Sequence, residues 1–119
     1  MDERKLSGLL GLACRAGQLV SGAEKALAQV REDKAALVLL DASTAANTRK
    51  KLTDSCGYRG ITLLELPEGV LGQAIGRPGV CVAAIQPGGL SDNILHTITP
   101  GGDITPATNN ILEGTRLNG

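Results

Sequence analysis

The chain has 119 residues, with no Phe or Trp, one Tyr, sixteen Gly, and twelve Lys and Arg against twelve Asp and Glu. Its length suits one domain, and Leu, Ile and Val supply 31 residues, above the roughly 20% below which chains tend to stay disordered, so a packed aliphatic core is expected. The missing rings exclude modules that stack unpaired bases on aromatic platforms, and the zero net charge argues against a uniformly basic surface.

Leu6, Leu9, Leu10, Ala13 and Cys14 recur at the spacing of one helical face. With Asp2 as cap and Gly17 as stop, a first helix is predicted over residues 3–15. A short strand, Gln18-Leu19-Val20, follows. Ala23, Ala26, Leu27 and Val30 repeat the helical spacing and give a second helix over 22–32. Residues 35–41 form an apolar run ending in Asp41, the pattern of a strand covered on both faces. A third helix is predicted over 44–56, with Ala45, Thr48, Leu52 and Cys56 inward and Arg49, Lys50 and Lys51 near its middle. Ile61 to Leu66 reads as the next strand. Pro67 is placed at the first position of a fourth helix, where its missing N–H loses no partner. Val70, Leu71, Ala74 and Ile75 form that helix's face, and Gly76 ends it. Val80 to Ile85 is a further buried strand, and a fifth helix over 89–95 closes the pattern.

Alternating strands and helices predict an α/β domain over residues 1–96, with helices on both faces of a largely parallel or mixed sheet. Residues 97–119, rich in Gly, Pro and Asn, read as a flexible C-terminal appendage. Residues 1–60 hold ten Lys and Arg against seven Asp and Glu, whereas 61–119 hold two against five. The halves are therefore +3 and −3, and a local basic surface is compatible with the neutral total. Cys14, Cys56 and Cys81 are widely spaced and the lone His96 offers no ligand cluster, so no metal, cofactor or disulfide framework is expected. Free buried thiols in a reducing compartment are the expectation. No apolar stretch approaches about 18 residues, and Met1-Asp2-Glu3-Arg4-Lys5 does not open a signal peptide. A soluble cytoplasmic protein without a membrane partner follows.

Nothing in the chain resembles a catalytic triad or a paired-carboxylate site, and Ser43 and Ser55 lack a nucleophile-elbow context. Neither catalysis nor a small-molecule substrate is expected. Three segments are better candidates for binding. In Ser21-Gly22-Ala23-Glu24, after a strand and opening a helix, Gly22 lacks a Cβ, so a ligand backbone can approach the first-turn amides. Those N–H groups and the positive end of the helix dipole suit phosphate. Glu24 and Lys25 face outward; equally, Ser21 and Glu24 match a capping box whose role ends with the helix. The second candidate, Asn47-Thr48-Arg49-Lys50-Lys51, carries three consecutive cations that cannot share one face. It reads as a solvated run or as a phosphate-contacting surface. The third is Gly76-Arg77-Pro78-Gly79-Val80, a tight helix-to-strand connection or a loop offering a cation and an apolar contact.

Taken in order, these segments resemble a known family. Leu9-Leu10-Gly11-Leu12-Ala13 with Arg15-Ala16-Gly17, then Val20-Ser21-Gly22, then Ala36 to Leu40 carry the first part. Asp41-Ala42-Ser43 through Lys51, and Leu71 to Gly76 leading into Val80–Ile85, complete it. Together they resemble the ribosomal protein L-seven-Ae/L-thirty-e superfamily, in its small bacterial YlxQ-like branch, over residues 4–96. The resemblance implies a three-layer α/β/α sandwich with a mixed four-stranded sheet. It implies a non-enzymatic, monomeric partner of structured RNA, kink-turn or ribosomal, in ribosomes or translation. In the family the start of the second helix enters a bent duplex beside sheared G·A pairs, and the loop before the last strand covers flipped-out nucleotides. Gly22 and Ala23 then lie at the RNA, with Glu24, Lys25, Arg77 and Val80 beside them and Arg15, Asn47, Lys50 and Lys51 supplying further contacts. Glu24, Lys25 and Ala28 stand where many members carry Asn, Glu and Lys. These departures keep open a second expectation, a protein–protein adaptor with weakened or lost RNA binding.

Overall fold

Asp2 caps the first helix, its carboxylate accepting the Lys5 N–H at 3.1 Å. From that cap the computed structural model, which describes residues 2–99, runs through α1 (Glu3–Arg15), β1 (Leu19–Ser21), α2 (Ala23–Arg31), β2 (Leu37–Asp41) and α3 (Ala46–Arg59). It continues with β3 (Thr62–Leu66), α4 (Val70–Ala74), β4 (Val82–Ile85) and α5 (Gly89–Ile98). The strands lie in the order β1-β4-β2-β3. β4 is antiparallel to both β1 and β2, and β3 is parallel to β2, so the sheet is mixed as expected.

Successive side chains of a strand point to opposite faces, which explains the apolar run of β2. Leu37 and Leu39 join Leu6, Leu10, Leu71 and Ile94 beneath α1, α4 and α5. Val38 and Leu40 join Ala26, Val30, Leu52 and Cys56 beneath α2 and α3. The two clusters make the domain a three-layer α/β/α sandwich. Each fully buried Leu or Val contributes on the order of 1.5–3 kcal/mol of transfer free energy.

Several boundaries differ from the sequence expectation. α3 starts at Ala46 because Thr44 is held in the preceding turn, its hydroxyl donating to the Asp41 carbonyl at 2.7 Å. That helix runs past Cys56 to Arg59 and ends where Gly60 takes a left-handed conformation. Pro67 does not begin α4. It belongs to a turn that ends at Gly69, the N-cap, and the helix starts at Val70. β4 starts only at Val82, since Gly79 at φ 94° turns the chain just before it. α5 extends to Ile98, with Thr97 buried against the sandwich. The rest of the expected appendage, 100–119, lies outside the described residues.

The topology brings four connections to one end of the sheet, because β1, β2 and β3 finish there and β4 begins there. The Gly22 N–H donates to the Val82 carbonyl at 2.9 Å, Asp41 N–H to Cys81 at 2.7 Å and Ala42 N–H to Leu66 at 2.9 Å. The 76–80 loop sits against α4 at Gly72, whose carbonyl accepts the Arg77 N–H at 2.8 Å. A Cβ on Gly72 would meet the Arg77 carbonyl oxygen at 2.8 Å and Gly79 N and the Pro78 Cα at 3.2 Å. All three are backbone atoms, so the loop itself would have to move. Gly72→Ala is therefore expected to cost about 1–3 kcal/mol, read as a lower urea midpoint at unchanged slope.

Candidate nucleic-acid interface

Helix α2 opens without a side-chain cap. Its N-cap is Gly22 at φ 104° and ψ 147°, a conformation that an L side chain adopts only under strain. The capping-box reading of Ser21 and Glu24 is thereby corrected: Ser21 ends β1, and its Oγ accepts a hydrogen bond from Arg77 Nη1 at 3.1 Å. The N-cap makes no side-chain hydrogen bond to the first-turn amides, and Glu24 is the acidic residue of that turn. The amides present the positive end of the helix dipole. Glu24 and Lys25 are exposed, as expected. Ala23 is half-buried and packs toward the second core cluster, so what it offers a ligand is its N–H.

The three consecutive cations of α3 point different ways, as helical geometry requires. Arg49 turns to the sheet, pairing with Glu65 and donating to the Ala42 carbonyl at 3.3 Å. Lys50 pairs with Asp54 one turn on, at 3.1 Å and in full contact with solvent. Such a pair restrains the ammonium only weakly. Lys51 faces α2, where with Ala23, Glu24, Leu27, Thr48 and Leu52 it lines a groove of about 220 Å³. Asn47 is exposed near the start of the same helix. Arg15 stands in the last turn of α1, in the opposite helical layer, and among the described residues it makes no hydrogen bond to the other candidates.

A second cavity, of about 150 Å³, opens where the connections converge. One wall is the turn after β2, another the Glu68–Gly69 turn and Gly72, and the third Gly79, Val80 and Cys81. Asp41 organises it. This carboxylate is only 2% exposed and accepts from the Ser43 N–H at 2.9 Å, the Ser43 hydroxyl and the Gly69 N–H at 2.7 Å. Burial alone would raise its pKa; the Ser43 hydroxyl and the Ser43 and Gly69 amides outweigh burial and hold it below the usual value. Sequence reasoning singled out Val80 here but none of Asp41, Ser43 and Glu68 as site residues. The available signal was Asp41-Ala42-Ser43, since an Asp two residues before a Ser at a strand end commonly folds its carboxylate onto the turn.

The cysteines depart from the expectation of three buried thiols. Cys56 is buried in the α2–α3 layer, and that burial pushes its thiol up to about 12. Cys14 is half-buried, and Cys81 borders the cavity. Among the described residues, no three His, Cys, Asp or Glu gather to hold a metal ion, and no helix is long and apolar enough to cross a membrane.

Residues 4–95 match the ribosomal protein L7Ae/L30e/S12e/Gadd45 family. The chain is 36% identical over 91 residues to the RNA-binding protein YlxQ of Bacillus subtilis (strain 168), covering 76% of this chain and 91% of that protein. It is 37% identical over 78 residues to the RNA-binding protein YlxQ of Enterococcus faecium, covering 65% and 76%. Among solved structures, a protein of unknown function from Bacillus halodurans C aligns with a TM-score of 0.75 at 35% identity, over 79% of this chain and 96% of that one. The Giardia lamblia 15.5kD RNA binding protein aligns with a TM-score of 0.65 at 25% identity, over 82% and 84%.

Proposed function

The chain belongs to the ribosomal protein L7Ae/L30e/S12e/Gadd45 family, and from that premise we propose that it is a non-enzymatic RNA-binding protein of the cytoplasm, acting on kink-turn RNA in ribosomes or translation. The observation that carries this reading is the junction of two distant segments. The uncapped start of α2 and the 76–80 loop are tied by the Arg77–Ser21 hydrogen bond into one surface. Two relatives that share more than a third of their aligned residues with the chain are themselves named RNA-binding proteins.

Recognition proceeds by shape. The α2 amides receive a phosphate of the bent strand, and Lys51 and Lys25 add charge on either side. Arg77 holds the loop in place while Val80 offers an apolar wall to a base extruded at the kink. Glu24 accepts hydrogen bonds only, so it faces base amino groups and not phosphates. With Ala28 exposed and uncharged beside it, electrostatic attraction falls chiefly to the α3 lysines.

A gel-shift titration with a kink-turn duplex, set beside the same duplex with its G·A pairs changed to Watson–Crick pairs, tests this directly. Binding to the first should exceed binding to the second by at least about tenfold, since a straight duplex must be bent at a cost of a few kcal/mol. Equal affinity for both would leave only non-specific attraction. Absence of binding to either would favour an adaptor that has given up RNA.

A further inference from the structure

We propose that the outer edge of β3 pairs with the same edge of a second copy of this chain, antiparallel about a twofold axis at Leu64, in place of the monomer that the family resemblance implies. The inference is independent of the RNA reading. It rests on which backbone groups that edge leaves free and on the side chains beside them.

β1 and β3 are the two edges of the sheet. Short strands, charges and prolines commonly keep an edge from pairing. β1 spans only Leu19–Ser21. β3 is longer, runs in unbroken register with β2, and carries neither lysine nor proline. Its Leu63 and Leu64 are half-exposed, one beside each core cluster. Its one charge, Glu65, is already paired with Arg49.

The Leu66 carbonyl accepts the Ala42 N–H, so Thr62, Leu64 and Leu66 turn their backbone groups to β2. Leu63 and Glu65, between them, turn theirs outward, and among the described residues no strand lies beyond. The free edge stops on either side of this pair. The Ile61 N–H is taken by the Cys56 carbonyl at 2.9 Å, and Pro67 has no N–H.

An axis at Leu64 overlaps the whole strand with its copy. Each Leu63 then stands opposite the other copy's Glu65, and the two residues exchange both of their N–H···O bonds. An axis at Leu63 or Glu65 leaves an end of each strand hanging, and the latter sets two Glu65 side chains face to face. With the axis at Leu64, the two Leu64 side chains meet at the close, non-hydrogen-bonded position. The two Glu65–Arg49 ion pairs lie diagonally across the axis, so no bare carboxylate faces another. Because β3 ends at the candidate RNA face, antiparallel pairing turns the two faces to opposite ends and leaves both open.

One strand pair is a small interface of the weak class, so half-association is expected near about 100 μM. Sedimentation equilibrium of the full chain from about 5 to about 500 μM should show the mass rising from one chain toward two. Leu64→Lys and Leu64→Glu each place like charges face to face, and each alone should weaken association at least about tenfold. An equimolar mixture of the two should restore it. Leu64 is half-buried, so Leu63→Pro is a second probe that removes an outward N–H and no bond to β2. It should weaken association by a like factor. Amide exchange at Leu63 and Glu65 should slow about threefold across the same concentration range, with Leu64 and Leu66 unchanged.

A mass of one chain at every concentration overturns the inference. Association undiminished in Leu64→Lys, Leu64→Glu and Leu63→Pro does so too, as does a mixture of folded charge variants no better than its parts. Full protection of Leu63 and Glu65 already at the lowest concentration would put a segment of the same chain on the edge, and that also overturns it.

Discussion

Replacing Asp41 with Ala is expected to lower the unfolding free energy by about 2–4 kcal/mol, a large share of the 5–15 kcal/mol typical of a single domain. The substitution leaves the Ser43 N–H, the Ser43 hydroxyl and the Gly69 N–H without their acceptor, and it opens a gap at a site only 2% exposed. Ser43 and Gly69 are themselves exposed, so water can reach them and the loss stays below the sum of three orphaned donors. The same network gives a pH signature. Asp41 titrates in the folded protein below the ordinary 3.8, so its contribution is complete above that value and is lost as the pH falls through the lower folded one. Urea midpoints measured from neutral pH down to about pH 3 should therefore fall more steeply below about pH 4 in the wild type than in Asp41→Asn. Parallel acid profiles for the two proteins would remove Asp41 from the account of stability. Because Asp41 ties the turn after β2 to the turn before α4, its loss should also loosen the cavity between them.

Local pattern carries far in this chain. β2 was legible because both of its faces are buried, which leaves a run of Leu and Val that no exposed segment of this length would hold. The amphipathic spacing located α1, with Asp2 as its cap and Gly17, at φ 75°, just beyond its end. α3 was less legible at its end because two glycines compete to stop it. Gly57 lies within the helix, and Gly60, at φ 70°, is the one in the left-handed conformation. Pro67 misled for a related reason, since proline suits a turn as well as a first helical position, and Gly69 takes the capping role.

The candidate site was legible in parts and illegible as an assembly. Gly22 and the 76–80 loop each announced themselves by their glycines. The bond that joins them, from Arg77 to Ser21, spans 56 positions and leaves no periodic trace in the sequence. The same holds for Asp41 and Gly69, 28 positions apart. Such contacts are set by the order of strands in the sheet, and β1 reaches β2 only through β4. A Ser before a Gly and three residues before a Glu reads as a capping box; only the strand pairing shows Ser21 to be inside β1.

Charge reversal at Lys50 and Lys51 together is expected to weaken RNA binding by about a hundredfold near 0.1 M salt and to reduce the salt slope by about two. The two positions should not contribute alike. Lys51 borders the groove beside the α2 start, whereas Lys50 is already paired with Asp54 at 3.1 Å. Lys51→Glu alone should accordingly cost more affinity than Lys50→Glu alone. The fold is a small confounder at these positions, because the Lys50 side chain is 77% exposed and an i,i+4 repulsion with Asp54 costs only about 0.3–0.5 kcal/mol. Gly22 is a worse probe of the same surface. Its φ of 104° means that any side chain strains the β1–α2 junction, and lost binding there could report lost structure. The lysine pair separates the two, since its unfolding midpoint should hardly move while its affinity falls. Unchanged affinity at low salt in the double variant would make the α3 cations a solvated face and return the phosphate contact to the α2 amides alone.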